Sequence, residues 1–271
     1  MEQLTGKIAL ITGAGSGIGA GMARAFAAEG MRVALADIES EPVQALATEL
    51  AIAGTQAIAM HVDVADAASV DALAEEVFDR LGGLHLLCNN AGVCQGGPIW
   101  QMTKNDWDWL LGVNLGGVIN GCRSFIPRLV AQGGPAHIVN TASVGGFLSG
   151  GELGMYSTTK FAVVGYSEAL AQDLEPHGIG VSILCPGAVN TDLGSSDRRR
   201  PAHLGTAPAN LDFLRGMMAE GMDPVEVGHH VVRGMRENAL YIFTHAEFRA
   251  LIDERFDRVR AAIDRAAVPV R

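Results

Sequence analysis

Thr12-Gly13-Ala14-Gly15-Ser16-Gly17-Ile18-Gly19 follows an apolar run and opens a helical pattern. Glycines in such a turn let the backbone come close to a diphosphate. The start of the helix adds free N–H groups and the positive end of its dipole. A glycine loop carries weight only in this strand–turn–helix setting. Its glycines, at 13, 17 and 19, do not follow Gly-x-Gly-x-x-Gly, and no Gly-Lys-Ser/Thr follows to make a nucleoside-triphosphate loop. Gly13, Ser16, Gly17, Ile18 and Gly19 are therefore candidate cofactor contacts. A second apolar run ends in Ala36-Asp37-Ile38, about 20 residues beyond the loop. An acid there can accept hydrogen bonds from both hydroxyls of an adenosine ribose. It would meet a 2′-phosphate as a like charge. No Arg or Lys stands at 14–16 or 38 to rescue that phosphate. Asp37 and Ile38 are thus expected to favour NAD over NADP.

From residue 5 to 192 the chain resembles the short-chain dehydrogenase/reductase family, through several motifs in order. The glycine loop is the first. Asp63-Val64 stands where the family holds the adenine ring. Asn89-Asn90-Ala91-Gly92 is similar to the turn that braces the family's central sheet, and implies that Asn90, Ala91 and Gly92 border the cofactor. Pro186-Gly187-Ala188-Val189-Asn190-Thr191 resembles the segment beside the nicotinamide amide, which implies cofactor contacts at Pro186, Gly187, Val189 and Thr191.

The same resemblance implies a catalytic tetrad of Asn114, Ser143, Tyr156 and Lys160. Tyr156 and Lys160 are four apart on a helical stretch and project from one face. A phenol with a pKa of about 10 is a poor base near neutrality. An ammonium about 4 Å away would contribute roughly 4 kcal/mol at an effective dielectric of 20. That predicts a Tyr156 pKa lowered by up to about three units. By resemblance Tyr156 exchanges the hydroxyl proton of a substrate and Ser143 positions its oxygen. Lys160 also holds the nicotinamide ribose, and Asn114 organises a water that leads protons to Lys160. The implied reaction interconverts a secondary alcohol and a ketone. The family also includes epimerases, dehydratases and reductases of carbon–carbon double bonds, and a non-catalytic NAD(H)-binding protein is the further alternative.

Other constellations fail. Thr141-Ala142-Ser143-Val144-Gly145 begins with Thr and so is no nucleophile elbow. There is no His-Glu-x-x-His, and adjacent His229 and His230 diverge on a helix, so no metal is expected. Candidate pocket walls are 93–98, 145–155 and the excursion 190–222. Gly145, Leu148, Leu153, Met155, Leu193 and Leu204 there would join Ser143 and Tyr156 in a mostly apolar substrate site. The run Arg198-Arg199-Arg200 is either a solvated loop or a reader of an acidic substrate group.

These residues need a scaffold, and the pattern supplies one. Short apolar runs at 7–12, 32–36, 57–61, 84–89, 136–141, 180–185 and 240–244 read as strands. Several are apolar throughout, as in strands buried on both faces of a parallel sheet. Stretches at 40–53, 67–81, 106–131, 156–177, 224–238 and 246–266 have helical spacing. Alternation of the two predicts an α/β fold: one Rossmann-type domain over 1–271, with a doubly wound parallel sheet of about seven strands. The excursion at 190–222 is expected to be a mobile substrate lid. In the last helix Phe248, Leu251, Ile252, Phe256, Val259 and Ile263 should pack inward or on a partner. This ending, with Val113-Asn114-Leu115-Gly116-Gly117-Val118-Ile119-Asn120-Gly121, resembles bacterial dehydrogenases of bulky aryl alcohols, including benzylic carbons of lignin-derived ethers.

Composition limits the partners. Thirty acidic residues against 20 basic ones leave a formal charge of −10, unsuited to nucleic acid or anionic lipid. No stretch has the roughly 20 apolar residues that span a bilayer, and Met1–Thr5 lacks a signal-peptide pattern. A cytoplasmic protein acting on a small molecule is expected. The resemblance implies a homodimer or homotetramer, with 106–131 and 156–177 at the dimer interface. Cys88, Cys94, Cys122 and Cys185 form no Cys-x-x-Cys pair and read as free, mostly buried thiols.

Overall fold

A computed structural model describes residues 1–205 and 211–266. Seven parallel strands form one sheet in the order β3-β2-β1-β4-β5-β6-β7. They are β1 (Ile8–Thr12), β2 (Arg32–Asp37), β3 (Ala57–His61), β4 (Leu86–Asn89), β5 (Ala136–Thr141), β6 (Ile179–Cys185) and β7 (Tyr241–Phe243). The helices are α1 (Gly17–Ala28), α2 (Ser40–Ile52), α3 (Ala67–Leu81), α4 (Lys104–Leu111), α5 (Gly117–Gln132), α6 (Gly154–Leu174), α7 (Asp212–Ala219), α8 (Pro224–Glu237) and α9 (Arg249–Ala266).

All five residues of β1 are buried, because successive side chains enter opposite cores. Ile8 and Leu10 pack with Val70 and Leu73 of α3, Phe125 of α5 and Val163 of α6. Ala9 and Ile11 pack with Met22 and Phe26 of α1, Val43 of α2 and Val231 of α8. Helices therefore cover both faces, as the unbroken apolar runs predicted. β1 pairs with β2 on one side and with β4 on the other. The strand order reverses there, which opens a crevice at the carboxyl ends of the strands.

Three expectations change in detail. The single helix expected over 106–131 is α4, a π-helical turn at Gly112–Gly116, and α5. Glycines at 112, 116 and 117 are weak helix formers, and the wider turn carries Asn114 inward. The helix expected over 156–177 starts at Gly154 and tightens into a 3₁₀ turn at Glu175–His177, where Pro176 has no N–H to continue it. In α9 no residue is buried, and Leu251 and Ile263 are 51% and 65% exposed, so its apolar side does not pack inward. Arg255 of this helix rests on the Phe161 ring of α6.

The described parts of the excursion are tied to the body by ion pairs. The excursion contains 3₁₀ turns at Asp192–Arg199 and Ala202–Leu204, and then α7, with residues 206–210 outside the described ones. Arg200 forms an ion pair of 2.8 Å with Asp106, the two side chains being 4% and 1% exposed. It also donates to Gln95 Oε1 at 3.0 Å and lies over the Trp109 ring. Burial pushes the Asp106 carboxyl up. Bonds from Thr103 and Gln95, with the Arg200 charge, outweigh this and hold it below its usual value. Arg198 and Arg199 both pair with Glu39. The arginine run is thus neither a free solvated loop nor, at Arg200, available to a substrate. All four cysteines are buried free thiols, which burial makes weaker acids. Among the described residues no helix is long and apolar enough to cross a membrane.

Candidate active site

A cleft opens at the carboxyl ends of the strands. Gly13, Ser16, Gly17 and Ile18 form one wall, with Asp37 and Ile38 at the end of β2 and Asp63 and Val64 beyond β3. Gly13 and Gly17 have positive φ, +65° and +51°, which a side chain would oppose. A Cβ on Gly19 would strike the Gly13 carbonyl, so Gly19 lies behind the loop and shapes it without lining the cleft. Ser16 is the N-cap residue of α1, yet its hydroxyl caps no amide. Uncapped N–H groups at a helix start beside a glycine turn fit a diphosphate.

Asp37 is 6% exposed. Its Oδ2 accepts from Gly15 N at 2.8 Å and its Oδ1 from Glu39 N at 2.9 Å. Each oxygen keeps lone pairs for a ribose hydroxyl. The turn Asn90–Gly92 is held to β1. Thr12 Oγ1 accepts from the N–H groups of Asn90 and Ala91, and Asn90 Nδ2 donates to Thr12 O at 3.0 Å.

Ser143, Tyr156 and Lys160 line the same cleft. Ser143 Oγ accepts from Gly145 N at 3.0 Å, which keeps it at the mouth of β5. Lys160, 3% exposed, donates from Nζ to Thr141 O at 2.9 Å and lies 5.5 Å from the Tyr156 ring centre. Asn114, in the π-turn, accepts from Val93 N at 2.8 Å and donates to Val93 O and to Thr159 Oγ1. Both ends of its amide thus brace the cleft wall and the helix that bears Tyr156 and Lys160.

The electrostatics differ from the expectation. Burial pushes the Tyr156 phenol up rather than down, and the hydrogen bond with Ser143 offsets this only in part. Burial also draws the Lys160 ammonium down to about 8. Desolvation of the phenol, which the spacing argument left out, opposes the help of the neighbouring ammonium, whose Nζ also donates to the Thr141 carbonyl.

A family model described as short chain dehydrogenase matches residues 7–202. The chain belongs to the short-chain dehydrogenase/reductase family. It is an oxidoreductase of that family. A C alpha-dehydrogenase from a Sphingobium species is 36% identical over 265 residues, covering 96% of this chain and 87% of that one. The structure of a short-chain dehydrogenase/reductase from Burkholderia phymatum in complex with NAD superposes with a TM-score of 0.93 at 37% identity, over 97% of both chains. A short-chain dehydrogenase from Burkholderia cenocepacia in complex with NADP superposes with a TM-score of 0.75 at 31% identity, over 89% of this chain and 96% of that one.

Within this dehydrogenase fold most sequence-chosen residues converge on the cleft. Pro186, Gly187, Val189, Thr191 and Leu193 line it, as do Asn90, Ala91 and Gly92. Others stand behind it. Gly145 and Leu148 sit in or beside a 3₁₀ turn, where a Cβ on Gly145 would touch Ser143 Oγ and the Tyr156 ring. Met155 is buried with Val93 and Trp109, with Leu204 packed against them, and Leu153 packs with Tyr156 and Leu193. Trp109 and Val113 line the cleft without having been expected there, while Arg199, Pro201 and Met218 reach it from the excursion expected to wall the pocket. His245 supports the wall from behind. Its Nδ1 accepts from Gly187 N at 3.2 Å, and its Nε2 lies 3.0 Å from Ala188 O. No local motif marks these residues, since each arrives through long-range packing.

Proposed function

We propose that this short-chain dehydrogenase/reductase is NAD-dependent and interconverts a secondary alcohol and a ketone, with Tyr156 as general acid and base. The observation that carries the reading is the meeting of Ser143, Tyr156 and Lys160 with the glycine loop and Asp37 in one cleft. When bound, the nicotinamide would take or give the hydride and, oxidised, add a positive charge near the phenol. Ser143 Oγ orients the substrate oxygen. Tyr156 gives its proton to that oxygen in reduction and takes it in oxidation. Lys160 would stabilise the phenolate side of this exchange and help to hold the nicotinamide ribose. Asn114 acts through Val93 and Thr159, as a positioning residue.

Asp37 supports NAD over NADP, since a carboxylate at the end of β2 would meet a 2′-phosphate as a like charge. The NAD-bound relative from Burkholderia phymatum agrees with this choice. Val93, Trp109, Val113, Leu193 and Met218 make the substrate end apolar and partly aromatic, which suits a bulky apolar or aryl alcohol. The likeness to a C alpha-dehydrogenase favours the same class. The chain is further read as cytoplasmic and as a homodimer or homotetramer.

The test is cofactor reduction, followed by nicotinamide absorbance, across aliphatic and benzylic secondary alcohols with NAD and NADP in parallel. Turnover with NAD on a bulky benzylic alcohol is the expected result. Tyr156→Phe should lower kcat by about 10²–10⁴-fold while leaving NADH affinity nearly unchanged. Wild-type turnover in Tyr156→Phe would remove Tyr156 from the proton route.

A further inference from the structure

The sequence places no cation beside the phosphate loop, but the fold brings one there. Arg199, from the excursion, lines the cleft next to Ser16 and Gly17, and its side chain is 14% exposed. Its Nη2 donates to Ser16 Oγ at 3.1 Å. Its Nε donates to the Glu39 carboxylate in a short contact. Ser16 Oγ caps no amide of α1, and because it accepts from Arg199 its own proton is free for another acceptor. Three kinds of donor therefore face one volume: the first N–H groups of α1, the Ser16 hydroxyl and the Arg199 guanidinium.

Building on the reading of this cleft as a dinucleotide site, we propose that Arg199 binds the cofactor's diphosphate. A guanidinium is a planar fork that matches phosphate oxygens with two parallel donors. Glu39 takes Nε and so holds the plane in place, with Nη2 turned to Ser16 Oγ beside the glycine loop. The Glu39 carboxyl is pushed up by burial but held down overall by its bonds from Arg199 and Arg198. It is thus a charged anchor already matched by two arginines. Arg198 shares Glu39, at 3.3 Å, and Asp192, at 3.5 Å, but does not line the cleft. It is a natural control, with the same ion pair and none of the access.

The experiment measures binding of NADH, ADP and adenosine to the purified full chain by calorimetry, without any turnover. Arg199→Gln should weaken ADP and NADH by about tenfold or more, the range for a hydrogen bond to a charged group, and change adenosine by less than about twofold. Arg199→Lys should recover part of that loss, since it restores the charge without the fork. Added salt should narrow the gap between wild type and Arg199→Gln. Arg198→Gln should bind ADP as wild type does. ADP affinity unchanged in Arg199→Gln, or an equal loss in Arg198→Gln, would overturn the assignment to Arg199 while leaving the cofactor site intact. A wild-type chain that bound neither NADH nor ADP would overturn both the assignment and the reading beneath it.

Discussion

Asp37 shows how one side chain serves structure and selectivity together. Its two carboxylate oxygens already hold Gly15 N and Glu39 N, so the acid shapes the loop that it helps to select for. Removing it therefore has two separable effects. Asp37→Ala should weaken NAD by about 10–100-fold, as lost hydrogen bonds to a charged group imply, and shrink the preference against NADP. Asp37→Asn keeps an acceptor for the loop and removes only the charge, so its NAD loss should be smaller while NADP still improves. The ratio of kcat/KM for the two cofactors checks this, and an unchanged ratio in both variants would sink the ribose argument. Asp37 was legible from its place at the end of the second strand beyond the glycine loop, and Tyr156 and Lys160 from the family resemblance together with their common helix face. Arg199 and His245 were not legible, because they reach the site from 183 and 58 residues away in sequence from Ser16 and Gly187. The Tyr156 environment was misjudged for a related reason. Spacing gave the common face of Tyr156 and Lys160, but only the fold shows Lys160 turned to the Thr141 carbonyl and the phenol desolvated.

Elements hold these side chains, and the excursion after β6 does so with charges. Its segment Asp192–Arg199 is tied to the β2–α2 turn through Glu39, and the following turn is tied to α4 through the Arg200–Asp106 pair. Asp106 also closes the capping box of α4 with Thr103, so one carboxylate fixes a helix start and the wall above it. Breaking a buried pair by removing one partner leaves the other charge unmatched, at a cost of about 3–5 kcal/mol. Arg200→Met should lower the unfolding free energy toward that range and raise KM for the alcohol more than Kd for NADH. Adding Asp106→Asn should recover part of the stability, because a neutral amide keeps the Thr103 contact. Urea unfolding of the wild type and the two variants tests the series. A single variant within about 1 kcal/mol of wild type would mean that the pair is not the anchor. The alternation of strands and helices and the parallel sheet buried on both faces followed from apolar periodicity; the strand order came only with the fold. The π-turn at Gly112–Gly116 did not, since it depends on Asn114 finding Val93, a contact between two elements.

At the scale of the whole molecule the two ends of the sheet do different work. The carboxyl ends carry the cleft, while two histidines sit toward the amino ends, away from it. His85 Nδ1 accepts from Ile8 N at 3.2 Å, and His137 N donates to His85 O at 2.8 Å. His137 is 1% exposed, with Nε2 2.8 Å from Ser182 Oγ, which itself donates to Ala239 O. Ser182 has given its proton away, so the ring must donate from Nε2, and a neutral imidazole suffices. Burial, helped by the nearby amino terminus, lowers the His137 pKa from 6.5 to about 4. Burial and the charges of Lys7 and Arg32 lower His85 as well. The unfolded chain therefore binds more protons than the folded one between about pH 4 and 6.5, and stability must rise with pH across that window. Above it both states are neutral at His137, and below it both are protonated, so the effect of His137 is confined there. The full span of His137 corresponds to about 3 kcal/mol. Urea unfolding at several pH values should show stability falling on acidification through this range. His137→Gln keeps a donor for Ser182 but cannot titrate, so it should flatten the curve by that amount, leaving the smaller slope from His85. Parallel curves for the variant and wild type would show that acid sensitivity resides elsewhere. Because both histidines lie far from Tyr156, NADH affinity at neutral pH should be the same in the two proteins, which separates the stability of the scaffold from the chemistry it carries.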